Sequence, residues 1–136
     1  MPIAELIEDV DFLKGSFKSL NSGGPVSSAR LRTDYEKLKD VKLPHSSTLK
    51  NLIGLLRKEE QLVKNRIRTI LPNTDTSKIS IVCEHDMIGV GYDNRIYLDL
   101  KTSTSFSDEA LKYVMLHELG HLKSSRSMRV LSAWSC

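Results

Sequence analysis

The sequence is poor in cysteine, with only Cys83 and Cys136 in 136 residues. Two thiols make no disulfide framework, and a reducing compartment is the default for such a chain. Aromatic residues are also scarce, at 6% with one tryptophan, Trp134. There is little to stack on bases, and 20 basic residues are interleaved with 17 acidic ones for a net charge of only +3. Nucleic acid is therefore not an expected partner. No apolar run approaches the ~20 residues of a membrane-spanning helix. The N-terminal stretch Met1-Pro2-Ile3-Ala4-Glu5-Leu6-Ile7-Glu8-Asp9 is acidic where a secretory signal is basic, so a cytoplasmic location is expected. What is present, 40% hydrophobic and 27% charged residues, is the composition of an ordinary globular protein that can bury a core.

Apolar spacing divides the chain. Ile3, Leu6, Ile7, Val10, Leu13, Phe17 and Leu20 recur every three or four residues, which predicts an amphipathic helix. Asn21-Ser22-Gly23-Gly24-Pro25 breaks it. Ser27 or Ser28 caps a second predicted helix with Leu31, Tyr35 and Leu38 on one face, ending before Pro44. Ser46-Ser47-Thr48 precede the longest helical pattern, a stripe of Leu49, Leu52, Ile53, Leu56, Val63, Ile67 and Ile70 closed by Pro72. The charges opposite this stripe read as a solvated face. After a polar turn at residues 73–77 the period changes from helical to alternating. Strands are predicted at Ile79–Cys83, briefly at Met87–Val90, and at Arg95–Leu100. Residues 102–109 read as a polar lead-in whose serines cap a final helix and whose acids suit its first turn. The expected layout is α+β: N-terminal helices, a small and mostly antiparallel sheet, then one chemically distinctive helix. A helical extension over 1–45 and a main domain over 46–136 are the expected units.

That last helix carries His117-Glu118-Leu119-Gly120-His121. Histidines four residues apart stand one turn apart on one helix face, where both imidazoles can reach a single zinc ion. Glu118, next to the first ligand, lies beside the metal and can take a proton from a metal-activated water. Leu111, Val114, Met115 and Leu122 are expected to hold the helix in the core, and Gly120 to admit another backbone close to it. The structural alternative is a helix that buries two histidines for packing alone.

With these residues in view, the segment from about Ile79 to Leu122 resembles the zincin metallopeptidases of the gluzincin group. The likeness is to HtpX-like and CAAX-prenyl-type peptidases, carried by Asp108-Glu109-Ala110-Leu111-Lys112-Tyr113-Val114-Met115-Leu116-His117-Glu118-Leu119-Gly120-His121. The resemblance implies a zinc-dependent endopeptidase acting on peptide or protein substrates, with His117 and His121 as zinc ligands and Glu118 as general base. It also implies that Arg95–Leu100 is the edge strand along which a substrate lies. The third ligand in that group is a glutamate on a later helix, and this sequence has no Glu, Asp or His after His121. SprT-like zincins place a histidine there, where this chain has Ser124, Ser125 and Ser127. Met128–Cys136 turns apolar with no stop signal, so the third ligand is expected beyond residue 136. Membrane association through such sequence stays open, as does oligomeric state. The alternatives are a non-catalytic zincin-like binding module and an ImmA/IrrE-like regulatory peptidase.

Other candidates are weaker. Cys136 is a candidate thiolate ligand, Cys83 reads as core, and His85 with Asp86 reads as a solvated turn. His45 reads as a loop residue. Tyr92, Tyr97, Arg126 and Arg129 are candidate oxyanion donors among which the sequence does not choose.

Overall fold

The structure, a computed structural model, describes residues 2–17, 26–84 and 86–124. Helix α1 (Ile3–Ser16) buries Leu6, Val10 and Leu13, three positions of the expected stripe. The second predicted helix is split into α2 (Ser28–Thr33) and α3 (Tyr35–Leu38) by a turn at Asp34. Both pieces bury the expected leucines, Leu31 and Leu38. Helix α4 (Leu49–Ile70) starts at Thr48, whose hydroxyl accepts from the Asn51 amide at 3.2 Å, and buries Leu49, Leu52, Ile53, Leu56, Val63 and Ile67. It is the central support of the fold, in contact with each of the other described α-helices.

The sheet is mixed rather than mostly antiparallel. Strand β3 (Ile96–Asp99) lies between β1 (Ile79–Val82), to which it is parallel, and β2 (Ile88–Val90), to which it is antiparallel. The β2–β3 hairpin turns at Gly91–Arg95, with Asn94 at φ 62° and the Gly91 amide donating to the Arg95 carbonyl at 2.9 Å. Folding this hairpin back places β3, not β2, against β1. The expectation that Arg95–Leu100 forms an edge is therefore corrected: β3 is paired on both sides. Alternation of apolar residues reports which face is buried and carries no information on which neighbour pairs. The outer side of β1 is met by a bridge between Ser27 and Val82 and by the Cys83 amide donating to the Val26 carbonyl at 2.9 Å. Strand β2 is the other edge.

A second difference follows β3. Residues Leu100–Ser105 form a short helix, α5, where the sequence reads as a polar lead-in. Asp99 caps it, its carboxylate accepting from the Thr102 amide at 3.3 Å and the Thr102 hydroxyl at 2.5 Å. The hydroxyls of Ser103 and Thr104 donate back to the Asp99 and Leu100 carbonyls at 2.7 and 2.9 Å. Polar side chains that disfavour an isolated helix are satisfied here within it. Helix α6 (Asp108–Ser124) then begins with the Ser107 hydroxyl accepting from the Ala110 amide at 3.2 Å.

One buried cluster runs from Leu6 through Leu49, Ile81 and Leu98 to Met115, and so crosses residue 45. Two polar ties reinforce that crossing. Asp9, fully buried, accepts from the His45 amide at 3.0 Å and the Ser46 hydroxyl at 2.5 Å. His45 Nε2 lies 2.6 Å from Glu8. Among the described residues no helix is long and apolar enough to cross a membrane.

Candidate metal centre on helix α6

Helix α6 packs against α4 on one side and against β2 and β3 on another. The wheel of the helix sorts its residues. Leu111, Val114, Met115 and Glu118 face inward and are buried. His117 and His121 sit at the border of that face, half-buried. Tyr113 and Leu116 are exposed, at 62% and 51%.

The two histidines come together as their spacing requires. Their Nε2 atoms are 3.1 Å apart, with ring centroids 4.7 Å apart and planes at 79°. Two nitrogens bound to one tetrahedral zinc, each at about 2.05 Å, stand about 3.3 Å from one another. The separation of the donor pair therefore matches one edge of such a site. Without a cation the same separation is a hydrogen bond from a protonated ring nitrogen to an unprotonated one. Tyr113, one turn before His117, stacks against it at 6.4 Å, a neighbour that the motif alone does not reveal.

Glu118 is the unusual member. It is 3% exposed, yet its carboxylate makes no hydrogen bond or ion pair among the described residues. Burial pushes its carboxyl above the ordinary range, and the adjacent His117 and His121 pull it back down. A buried carboxylate without a hydrogen-bond partner is costly, so such groups tend to mark function rather than packing. It lies beside the His117–His121 pair.

The remaining candidates are dispersed. Among the described residues, no group of three His, Cys, Asp or Glu side chains converges on a common point. Cys83 is buried in the sheet layer, and burial together with the charge of Asp99 pushes its thiol to about 12. Tyr97 donates its hydroxyl to Asp93, and burial plus that bond raise it to about 12, so it is committed away from α6. Tyr92 is 80% exposed in the hairpin turn. Asp86 is exposed, with its amide donating to Asp99 at 3.3 Å. His85, Arg126, Arg129, Trp134 and Cys136 lie outside the described residues, as do Ser125 and Ser127. Gly120 differs from expectation: a Cβ there would meet nothing within 4 Å. It lines a groove of about 440 Å³ between α6 and the Leu71–Asp75 turn, and among the described residues no other backbone comes within 4 Å of that Cβ position.

Sequence reasoning also missed what holds α6 in place. Arg66 of α4 reaches the α5–α6 corner. Its Nη2 donates to the Phe106 carbonyl at 2.8 Å and to Asp108 at 2.9 Å, and its Nη1 to the Ser103 carbonyl at 3.3 Å. In sequence Arg66 is one charge among many on a polar helix face, and only the fold brings these acceptors to it. Compared with protein-family models, with curated proteins and with solved structures, the chain matches none.

Proposed function

We propose that the chain is a zinc-dependent peptidase domain in which His117 and His121 hold the metal and Glu118 is the general base. The observation that carries this reading is the conjunction on α6: two Nε2 atoms 3.1 Å apart beside a buried carboxylate with no hydrogen-bond partner among the described residues. A zinc ion held there supplies Lewis acidity, acidifying water and polarising a carbonyl. The two imidazoles act as neutral donors from adjacent turns of a packed helix, so their geometry is set by the core and not by a loop. Glu118 takes the proton of the attacking water and returns it to the leaving amine, a role suited to a carboxylate whose basicity burial has raised. An extended substrate pairs with β2, the edge strand that α6 covers, instead of with the central β3. A packing-only role for the three side chains is disfavoured because it leaves Glu118 buried without a hydrogen bond among the described residues.

The test is hydrolysis of a fluorescein-labelled casein by the zinc-loaded chain. Glu118→Gln is expected to keep zinc binding and lose hydrolysis by about 100-fold or more. Equal hydrolysis by the variant, or a folded wild-type chain that binds no zinc, would sink the reading. Zinc binding with no hydrolysis in either form would instead favour a binding module built on the same helix.

A further inference from the structure

Resting on the reading of His117 and His121 as zinc ligands, we propose that Tyr113 is a positioning residue of that site, holding the His117 ring in the orientation that ligation needs. Tyr113, His117 and His121 stand on successive turns of α6, a row at i, i+4 and i+8. Tyr113 and His117 are stacked, with ring centroids 6.4 Å apart and planes at 28°. The His121 ring meets His117 from the following turn, at 4.7 Å and 79°. His117 therefore stands between two rings, one close to parallel with it and one close to perpendicular.

Orientation is what a helix alone does not supply. Helical spacing places the Cβ atoms, but rotation of an imidazole about its last side-chain bond is soft, with broad minima. A zinc ligand has to aim the Nε2 lone pair, which lies in the plane of the ring, at the metal. A ring stacked on His117 biases that rotation, because turning the imidazole gives up the near-parallel contact. Aromatic pairs attract out to centroid separations of about 7 Å, so this contact is within reach. The orientation it favours is the one in which the two Nε2 atoms stand 3.1 Å apart. The working motif thus begins one turn before its first histidine. The contact is made by the ring, so the Tyr113 hydroxyl is not required for it. Tyr113 exposes 62% of its surface, and its replacement leaves the buried face of α6 intact.

The experiment measures zinc affinity by competition with a chromophoric chelator. It also records the carbon-bound ring protons of His117 in the metal-free chain by NMR, assigned by their loss in His117→Ala. Tyr113→Ala, with folding checked by circular dichroism, is expected to weaken zinc binding about 3-fold or more. Its His117 signals are expected to move downfield as the ring current of the neighbour is lost. Tyr113→Phe is expected to keep both the affinity and the signals. Leu116→Ala trims a similarly exposed neighbour outside the row and is expected to bind zinc as the wild type does. Unchanged affinity or unmoved His117 signals in Tyr113→Ala, beside a wild type that binds zinc, overturn the positioning role and leave the zinc-site reading standing. Tyr113→Phe as weak as Tyr113→Ala also overturns it, since the hydroxyl would then be the acting group. A folded wild-type chain that binds no zinc overturns both.

Discussion

Residues with similar sequence neighbourhoods differ in what the fold asks of them. Cys83 directly follows β1 and reads as core, and it is 6% exposed. Its thiol is pushed from 9.0 to about 12, by burial first and by Asp99 second. Because the folded state holds the thiol proton more tightly than the unfolded state, Cys83 contributes full stability below about pH 9. That contribution falls as the pH rises towards about 12, since the unfolded chain ionises first. Native Cys83 is expected to react with iodoacetamide at least 10-fold more slowly than in denaturant, as peptide mapping of the alkylated chain would show. Equal rates would mean that the strand end opens freely. Glu118 is the converse case. The sequence places it beside a metal ligand, but its burial depends on how deeply α6 sinks between α4 and the sheet.

At the scale of elements, helix positions were legible because a 3.6-residue stripe needs no partner to be recognised. Leu49, Leu52, Leu56, Val63 and Ile67 mark α4 as clearly in the sequence as they do in the buried core. Short elements were not legible in the same way. Helix α5 exists because Asp99 caps it, its own hydroxyls satisfy its carbonyls, and Arg66 closes its far end. Arg66→Ala is expected to destabilise the protein by about 2 kcal/mol, read as a lower urea midpoint at unchanged slope. Most of that cost belongs to the carbonyls of Ser103 and Phe106, since the ion pair with Asp108 is largely solvent-exposed. Arg66→Lys should recover less than half, because one ammonium cannot replace the planar guanidinium fork that spans these acceptors. A midpoint unchanged in Arg66→Ala would show that α4, β2 and β3 hold α6 without the clamp.

For the whole molecule, the buried cluster continues across residue 45, and Asp9 ties α1 to the residues leading into α4. Unfolding in urea is therefore expected to be a single transition, with circular dichroism and hydrogen exchange in α1 and α6 giving the same midpoint. The segment 46–136 alone is expected to lose that cooperativity, because Leu6, Val10 and Leu13 no longer cover the core that α1 and α4 share. Two separate midpoints in the full chain would instead divide it where the sequence reading did.

The sequence by itself determined the α+β class, the long helices and the pairing of His117 with His121. These depend on local periodicity, and a spacing of four on a helix leaves two side chains nowhere else to go. Only the tertiary structure decided that β3 lies between β1 and β2, that Arg66 grips the α5–α6 corner, and that Glu118 is enclosed. Each of these is a contact between groups distant along the chain. No local pattern encodes such a contact, because its energy exists only once the core has formed.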